Sequence, residues 1–279
     1  MGDLRSAIQG QVRELFGTTS GNTIDLTRPP GDLGLFAPGS AAWRVHGDFT
    51  SMMIGGVAAL LLQMLHPGAL AGVWDHSNFR KDMQGRLRRT AQFISGTTYG
   101  STATAEGLIA RVRSIHDRVE GTLADGTPYS ANDPALLTWV HVSEAHCFLA
   151  GYRRYVDPAF PVAEQDRYVA ETAELARRLG AEDVPVTRAG IEAYLEAMRP
   201  ALRYDHRTRE VARALMTQPA PTRALAPFRR LTMEAGVDLL PDWAARMHGF
   251  NQPLAQRAGL RAGVAGVGTV MRWALKPAR

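Results

Sequence analysis

Apolar residues along this chain recur mostly every three or four positions, and runs of alternating β-branched residues are nearly absent. Spacing of that kind gathers side chains on one face of an α-helix, whereas alternation would serve a strand, so the pattern predicts an all-α fold. Helices are expected over residues 2–16, 41–65, 82–95, 104–120, 133–155, 163–179, 188–199, 207–216 and 227–235, with one or two more in 241–275. Asp133 is placed to cap a helix whose first residue is Pro134, and Gly121 and Gly180 are placed to end theirs. His66-Pro67-Gly68 reads as the end of the long apolar helix, and Asp125-Gly126-Thr127-Pro128 as a turn that lets two later helices lie side by side.

The length of 279 residues suits one large domain, and no linker divides it, so a single multi-helix globular domain over 1–279 is expected. A hydrophobic share of 45% with 21% charged residues is that of an ordinary folded protein rather than a disordered one. The net charge of +5 comes from 32 basic and 27 acidic residues that are interspersed without a dense run, which favours solubility over a nucleic-acid partner. Cys147 is the one cysteine, so an internal disulfide and multi-cysteine zinc or iron–sulfur sites are excluded, and its apolar setting reads as a packed thiol.

Residues 1–10 lack the apolar core of a secretory signal, and Met1–Ser6 fits a myristoylation pattern too short to carry weight. The strongest apolar run, 52–65, is interrupted by Gln63 and stopped by His66-Pro67, short of the ~20 residues that a bilayer crossing needs. A buried core helix and a cytoplasmic protein are the expectation. Peripheral contact with a membrane is the alternative for 259–279, where Arg261, Arg272, Lys276 and Arg279 accompany Trp273; a segment covering the core is the simpler reading. Oligomeric state is left open.

Chemistry-bearing residues gather on three of these helices. On 82–95, Leu87, Ala91 and Ile94 form an apolar stripe bordered by Thr90, while Arg86, Arg89 and Thr90 share one flank and Arg88 points elsewhere. Guanidinium groups offer fixed donors to carboxylates or phosphates, although a solvated basic flank has the same pattern. On 104–121 the expected stripe is Leu108, Val112, Ile115 and Val119, with His116 at its border. A neutral imidazole there can bind a metal through one nitrogen, or simply pack with ordinary hydrogen bonds.

On 133–155, Leu137, His141, Ala145, Phe148 and Tyr152 follow every three or four residues, so His141 sits mid-stripe and needs a partner, which Glu144 can supply. His146 lies about 140° around the helix from His141, so the two do not share one ion, and their spacing matches no zinc-hydrolase helix. Asp75 and His76 are candidates for acid–base work at a pocket mouth. No glycine-rich phosphate loop stands in a strand-to-helix setting, which argues against a nucleotide-binding enzyme. Two imidazoles on successive helices, behind a basic and hydroxylated flank, outline a buried cofactor pocket.

In order along the chain stand His66-Pro67, Asp75-His76-Ser77-x-Phe79, Arg86-x-x-Arg89-Thr90, His116 followed by Gly121, Tyr129-x-Ala131-x-Asp133-Pro134 and Trp139-Val140-His141, then Glu171 and Leu179-Gly180. With these residues the chain resembles the MpaB-type oxygenase family, which includes the latex-clearing rubber oxygenases, from about Leu65 to Met198. The resemblance implies an all-α fold with a buried b-type haem, His116 as the matching proximal iron ligand, His141 as a second histidine of the pocket, and Arg86 and Thr90 in the haem environment. Arg89 stands where rubber oxygenases carry a lysine able to approach the distal side of the iron; a guanidinium cannot donate a lone pair, so the sixth position is expected to be vacant, water-bound or filled by another residue.

The function so implied is that of a haem b-dependent oxidoreductase, an oxygenase of a small apolar or unsaturated organic substrate that uses dioxygen. Arg86 and Arg89 would anchor propionates, Thr90 would bond at the haem edge, and His141 would orient or polarise within the pocket. The alternatives are a non-catalytic haem carrier or sensor, and a cofactor-free helical interaction protein whose histidines only pack.

Overall fold

The computed structural model describes residues 5–6, 9–10, 24–220 and 222–275; most of the helix expected at 2–16, and the opening of the myristoylation pattern, lie outside these residues. The described residues form α1 (Ala41–His46), α2 (Phe49–Gln63), α3 (Pro67–His76), α4 (Met83–Tyr99) and α5 (Thr102–His116). A hairpin of β1 (Glu120–Thr122) and β2 (Pro128–Ser130) leads into α6 (Pro134–Tyr155) and α7 (Val162–Leu179). The chain ends in α8 (Arg188–Met198), α9 (His206–Thr217), α10 (Ala226–Leu239), α11 (Asp242–Met247) and α12 (Leu254–Leu275). The fold is mostly helical, as the periodicity predicts.

The long helix expected at 41–65 is two helices. Asp48 takes up an extended backbone conformation and its carboxylate accepts from the Ser51 N–H at 2.8 Å, restarting the helix with a new cap. The segment after His66 is a further helix rather than an ending: His66 Nδ1 accepts from the Gly68 N–H at 3.1 Å, with Pro67 in the first turn. Asp133 caps α6 as expected, accepting from Ala135 at 2.8 Å, and Gly180 ends α7 in the left-handed conformation at φ 110°. Gly121 ends no helix. It pairs with Tyr129 across the hairpin, where a Cβ would sit 2.8 Å from the tyrosine oxygen.

The core is built on the crossing of α2 with α6, against which α10 packs from the other side. A Cβ on Gly55 would lie 2.8 Å from the Phe148 ring and 3.0 Å from the Cys147 carbonyl, so glycine sets the α2–α6 separation. Gly55→Ala is expected to destabilise the protein by roughly 1–3 kcal/mol, because one of its obstacles is backbone that no rotamer change can move. A melting temperature equal to the parent's would show that the two helices separate at no cost. Trp139 is fully buried and donates Nε1–H to the Gln63 carbonyl at 3.2 Å. Cys147 is buried too, and burial pushes its thiol well above the ordinary range, as befits a packed thiol.

Most of the 259–279 segment belongs to α12, which lies on α10, α2 and α6. Its anchor is Asp238 of α10, a buried carboxylate that accepts from Arg261 at 2.8 and 3.0 Å and from Arg154 of α6 at 3.1 Å. Arg272 reaches Asp48 at 3.0 Å, which ties the end of α12 to the cap of α2. Leu254, Val270 and Trp273 remain exposed on this helix. Among the described residues no single helix is long and apolar enough to cross a membrane; α2 and α3 together reach the length but are bent by 103°.

The stripe expected on α5 is corrected. Ala105 and Ile109 are its buried residues, whereas Ile115 is 45% exposed. The cause is the α4–α5 hairpin: Gly96 lies against Leu108 and Gly100 against Thr104, so α5 is covered near its start and progressively less so toward His116.

Candidate functional site

A cavity of about 710 Å³ lies between α2, α4, α6 and α10, a size within the range of small-molecule pockets. Leu87, Ala91 and Ile94, the stripe expected on α4, face it together with Thr90. Met52, Met53 and Leu60 of α2 form the opposite wall, and Phe148 of α6 with Phe228 and Met233 of α10 complete the apolar lining. The cavity reaches the surface beside Gln84, Arg88 and Pro219, all of them exposed.

Polar groups enter this apolar space at few points. Glu144 of α6 is the one acidic residue in the lining; burial raises its carboxyl to about 7, against the opposing effect of a hydrogen bond from Gln63. Gln63 is itself held by donation to the Val140 carbonyl at 3.2 Å. His46 lies between the Thr98 hydroxyl, 2.9 Å from Nδ1, and the Tyr168 hydroxyl, 3.1 Å from Nε2. Burial lowers this imidazole to about 4, so at neutral pH it is an uncharged link between two hydroxyls. The Tyr99 hydroxyl, also in the lining, is buried without a partner.

Of the residues expected from the sequence to form a site, Thr90 lines this cavity. Arg86 is one turn earlier on the same flank, outside the lining, and among the described residues no hydrogen bond or ion pair reaches its guanidinium. Burial, and then the neighbouring Arg89, disfavour its charge. Arg89 itself points into solvent and pairs with Asp82 at 3.1 Å. His116 closes α5 with Nδ1 buried and unpartnered, and burial lowers its pKa. His141 has Nε2 buried and unpartnered; burial, then Arg177 of α7, lower it to about 4. It shares a face of α6 with Glu144 and Phe148, one turn on and two turns on.

His76 lies apart from the cavity. Its Nε2 is 3.0 Å from the Glu120 carbonyl, and its neighbour Asp75 accepts from the Tyr129 hydroxyl at 2.6 Å, so the pair fastens the β-hairpin to α3. His146 faces away from His141, toward Glu192 of α8. Among the described residues, no three His, Cys, Asp or Glu side chains are grouped to hold a metal ion.

Sequence reasoning missed the cavity roles of His46, Gln63 and Glu144. Gln63 was visible only as an interruption of an apolar run, and Glu144 only as a neighbour of His141; for His46 no periodic signal exists, because it ends a six-residue helix.

No curated protein and no solved structure matches the chain. The family described as ER-bound oxygenase mpaB/B'/Rubber oxygenase, catalytic domain, matches residues 43–273. The match extends beyond 65–198 in both directions, from α1 to the last turn of α12, and so takes in the described cavity lining except Leu275. Both the helical fold and the reach of that match place this chain in the mpaB and rubber oxygenase catalytic-domain family.

Proposed function

We propose that the protein is a haem b-dependent oxygenase of a small apolar or unsaturated organic substrate, with dioxygen as co-substrate. The observation that carries this reading is a pair of buried imidazole nitrogens left without partners on successive helices, His116 Nδ1 on α5 and His141 Nε2 on α6, preceded on α4 by the half-buried Arg86, whose guanidinium meets no hydrogen bond or ion pair among the described residues. A buried imidazole nitrogen without a partner is costly, and a partly desolvated guanidinium without an anion adds to that cost. These residue types fit a haem, whose iron takes an imidazole, whose propionates take cationic donors and whose ring takes an apolar slot. When bound, the haem would supply the activation of dioxygen.

His116 is assigned as the iron ligand and Arg86 as the propionate anchor. Arg89 joins Arg86 only by leaving Asp82, with which it pairs at the surface. Thr90 donates to the Arg86 carbonyl at 3.2 Å and also lines the cavity, so it stands where the haem edge and the substrate space would meet. His141 is held neutral by burial and can accept or donate one hydrogen bond without introducing charge. Glu144 can hold a proton at its carboxyl up to about neutral pH, and the apolar walls exclude water from a bound substrate. The proposed site does not include His76.

Haem-loaded protein given an unsaturated hydrocarbon under isotopically labelled dioxygen is expected to release labelled product faster than free haemin does. Equal rates would overturn the oxygenase assignment in favour of a carrier or sensor.

A further inference from the structure

The cavity is polarised along its length. At its surface end, Gln84 of α4 donates to the Pro219 carbonyl at 2.6 Å, which sets the first turns of α4 against the segment after α9. Arg88, one turn beyond Gln84 on the same face, lines the cavity; it acts on Asp82 only through its charge, that carboxylate being engaged by Arg89, and among the described residues no hydrogen bond or ion pair fixes Arg88. Arg229 of α10 approaches from the other side, donating one N–H to the Met216 carbonyl at 3.0 Å while its Nε is buried without an acceptor. Beside it Gln218 is 9% exposed, and its buried Oε1 has no partner; an amide can turn either end to a ligand. Two cations and an unsatisfied amide thus converge at the entrance, and the only carboxyl among the described lining residues, Glu144, lies on the inner wall. Between them the wall is mostly hydrocarbon, sulfur or aromatic ring, with Gln63, His46, Thr90, Ser95, Tyr99 and Thr232 as its uncharged polar residues.

We propose that this cavity binds an amphiphile with one hydrocarbon chain and an anionic head, the head between Arg88 and Arg229 and the chain running inward past Thr90. The proposal names the substrate class of the oxygenase reading and rests on it for the reaction, though not for binding. An anion would satisfy the Arg229 Nε–H and the exposed guanidinium of Arg88 by charge-assisted hydrogen bonds, while the chain would fill the apolar space that Phe148, Met233 and Leu87 line. A neutral hydrocarbon would leave the buried Arg229 Nε–H unmet.

Calorimetric titration of the purified full chain with dodecanoate, dodecyl phosphate and dodecanol tests this. Both anions, or one of them, are expected to bind about tenfold or more tightly than the alcohol. The tighter anion identifies the head group. Arg88→Ala changes an exposed side chain and should fold; it is expected to lose most of the preference for the anion while leaving the alcohol unaffected. Arg229→Lys, which keeps the charge, should retain part of it. Ala91→Phe fills the middle of the cavity and is expected to weaken all three ligands. Equal affinity for anion and alcohol, or a preference that survives in Arg88→Ala, would overturn the proposal. Haem content read from the absorption spectrum of the same samples separates this outcome from failure of the oxygenase reading, since Arg88→Ala should hold as much haem as the parent.

Discussion

Arg86→Met is expected to lower haem retention by about tenfold or more, the equivalent of one charge-assisted hydrogen bond, while raising the melting temperature of the haem-free protein. The two effects have opposite signs because the half-buried guanidinium is partly desolvated with no anion beside it among the described residues and with Arg89 as a repulsive neighbour. Without haem, that charge destabilises the fold, and replacement by an apolar side chain of similar length would recover roughly 1–3 kcal/mol, or about 2–4 °C per kcal/mol. With haem, a propionate would supply the missing anion and the same charge would favour binding. Gel filtration followed by haem quantitation reads the first effect, and a thermal melt of the haem-free chain reads the second. A purely structural arginine would give a lower melting temperature, and a solvated one would change neither.

Acid is expected to unfold the haem-free protein between about pH 6.5 and pH 4, because His46, His141 and His146 each titrate near 4 in the fold against an ordinary value of 6.5. Each is kept neutral by burial, so the folded state takes up its proton later than the unfolded state does. The stability linked to each histidine is therefore whole above pH 6.5 and is lost as pH falls toward 4. A shift of this size is worth on the order of 3 kcal/mol per group. Glu144 acts in the opposite sense: its carboxyl is raised from 4.5 to about 7, so its contribution is whole below 4.5 and is lost as pH rises through 7. Three groups against one leave a net loss on acidification. Melting temperatures recorded across this range should fall steeply on the acid side, and Glu144→Gln should melt higher than the parent at about pH 8 but not at the acid end. A flat profile would mean that these histidines reach water.

Much of this was legible in the sequence, and where it was not the reason is local. The stripe of Leu87, Ala91 and Ile94 gave the α4 face that meets the cavity, because a helix surrounded by ordinary packing keeps its periodicity. Asp133-Pro134 and Gly180 gave two boundaries through capping chemistry that acts within one turn. His66-Pro67 carries the same helix-starting grammar as Asp133-Pro134, yet it reads as a stop because an apolar run precedes it. The stripe on α5 failed for a tertiary reason: glycines at 96 and 100 bring α4 onto the first half of α5, and Ile115 is left outside.

The candidate site divides in the same way. Arg86, His116 and His141 could be singled out because each interrupts or borders an apolar stripe; the two histidines each hold a buried nitrogen without a partner, and Arg86 is half-buried. Arg89 and His76 carry the right chemistry, but Asp82 and Glu120 engage them near the surface, contacts that no spacing rule discloses. Glu144, Gln63, Arg88 and Arg229 come together from four different helices, which only the packed fold can do.

The most direct test of the account is the visible absorption spectrum of the protein purified from cells supplied with haem, beside that of His116→Ala prepared in the same way. The parent is expected to show the intense band of protein-bound haem, and the variant, folded by circular dichroism, to lack it. A parent without the band, or a variant whose band is unchanged, would contradict the assignment of His116 to iron.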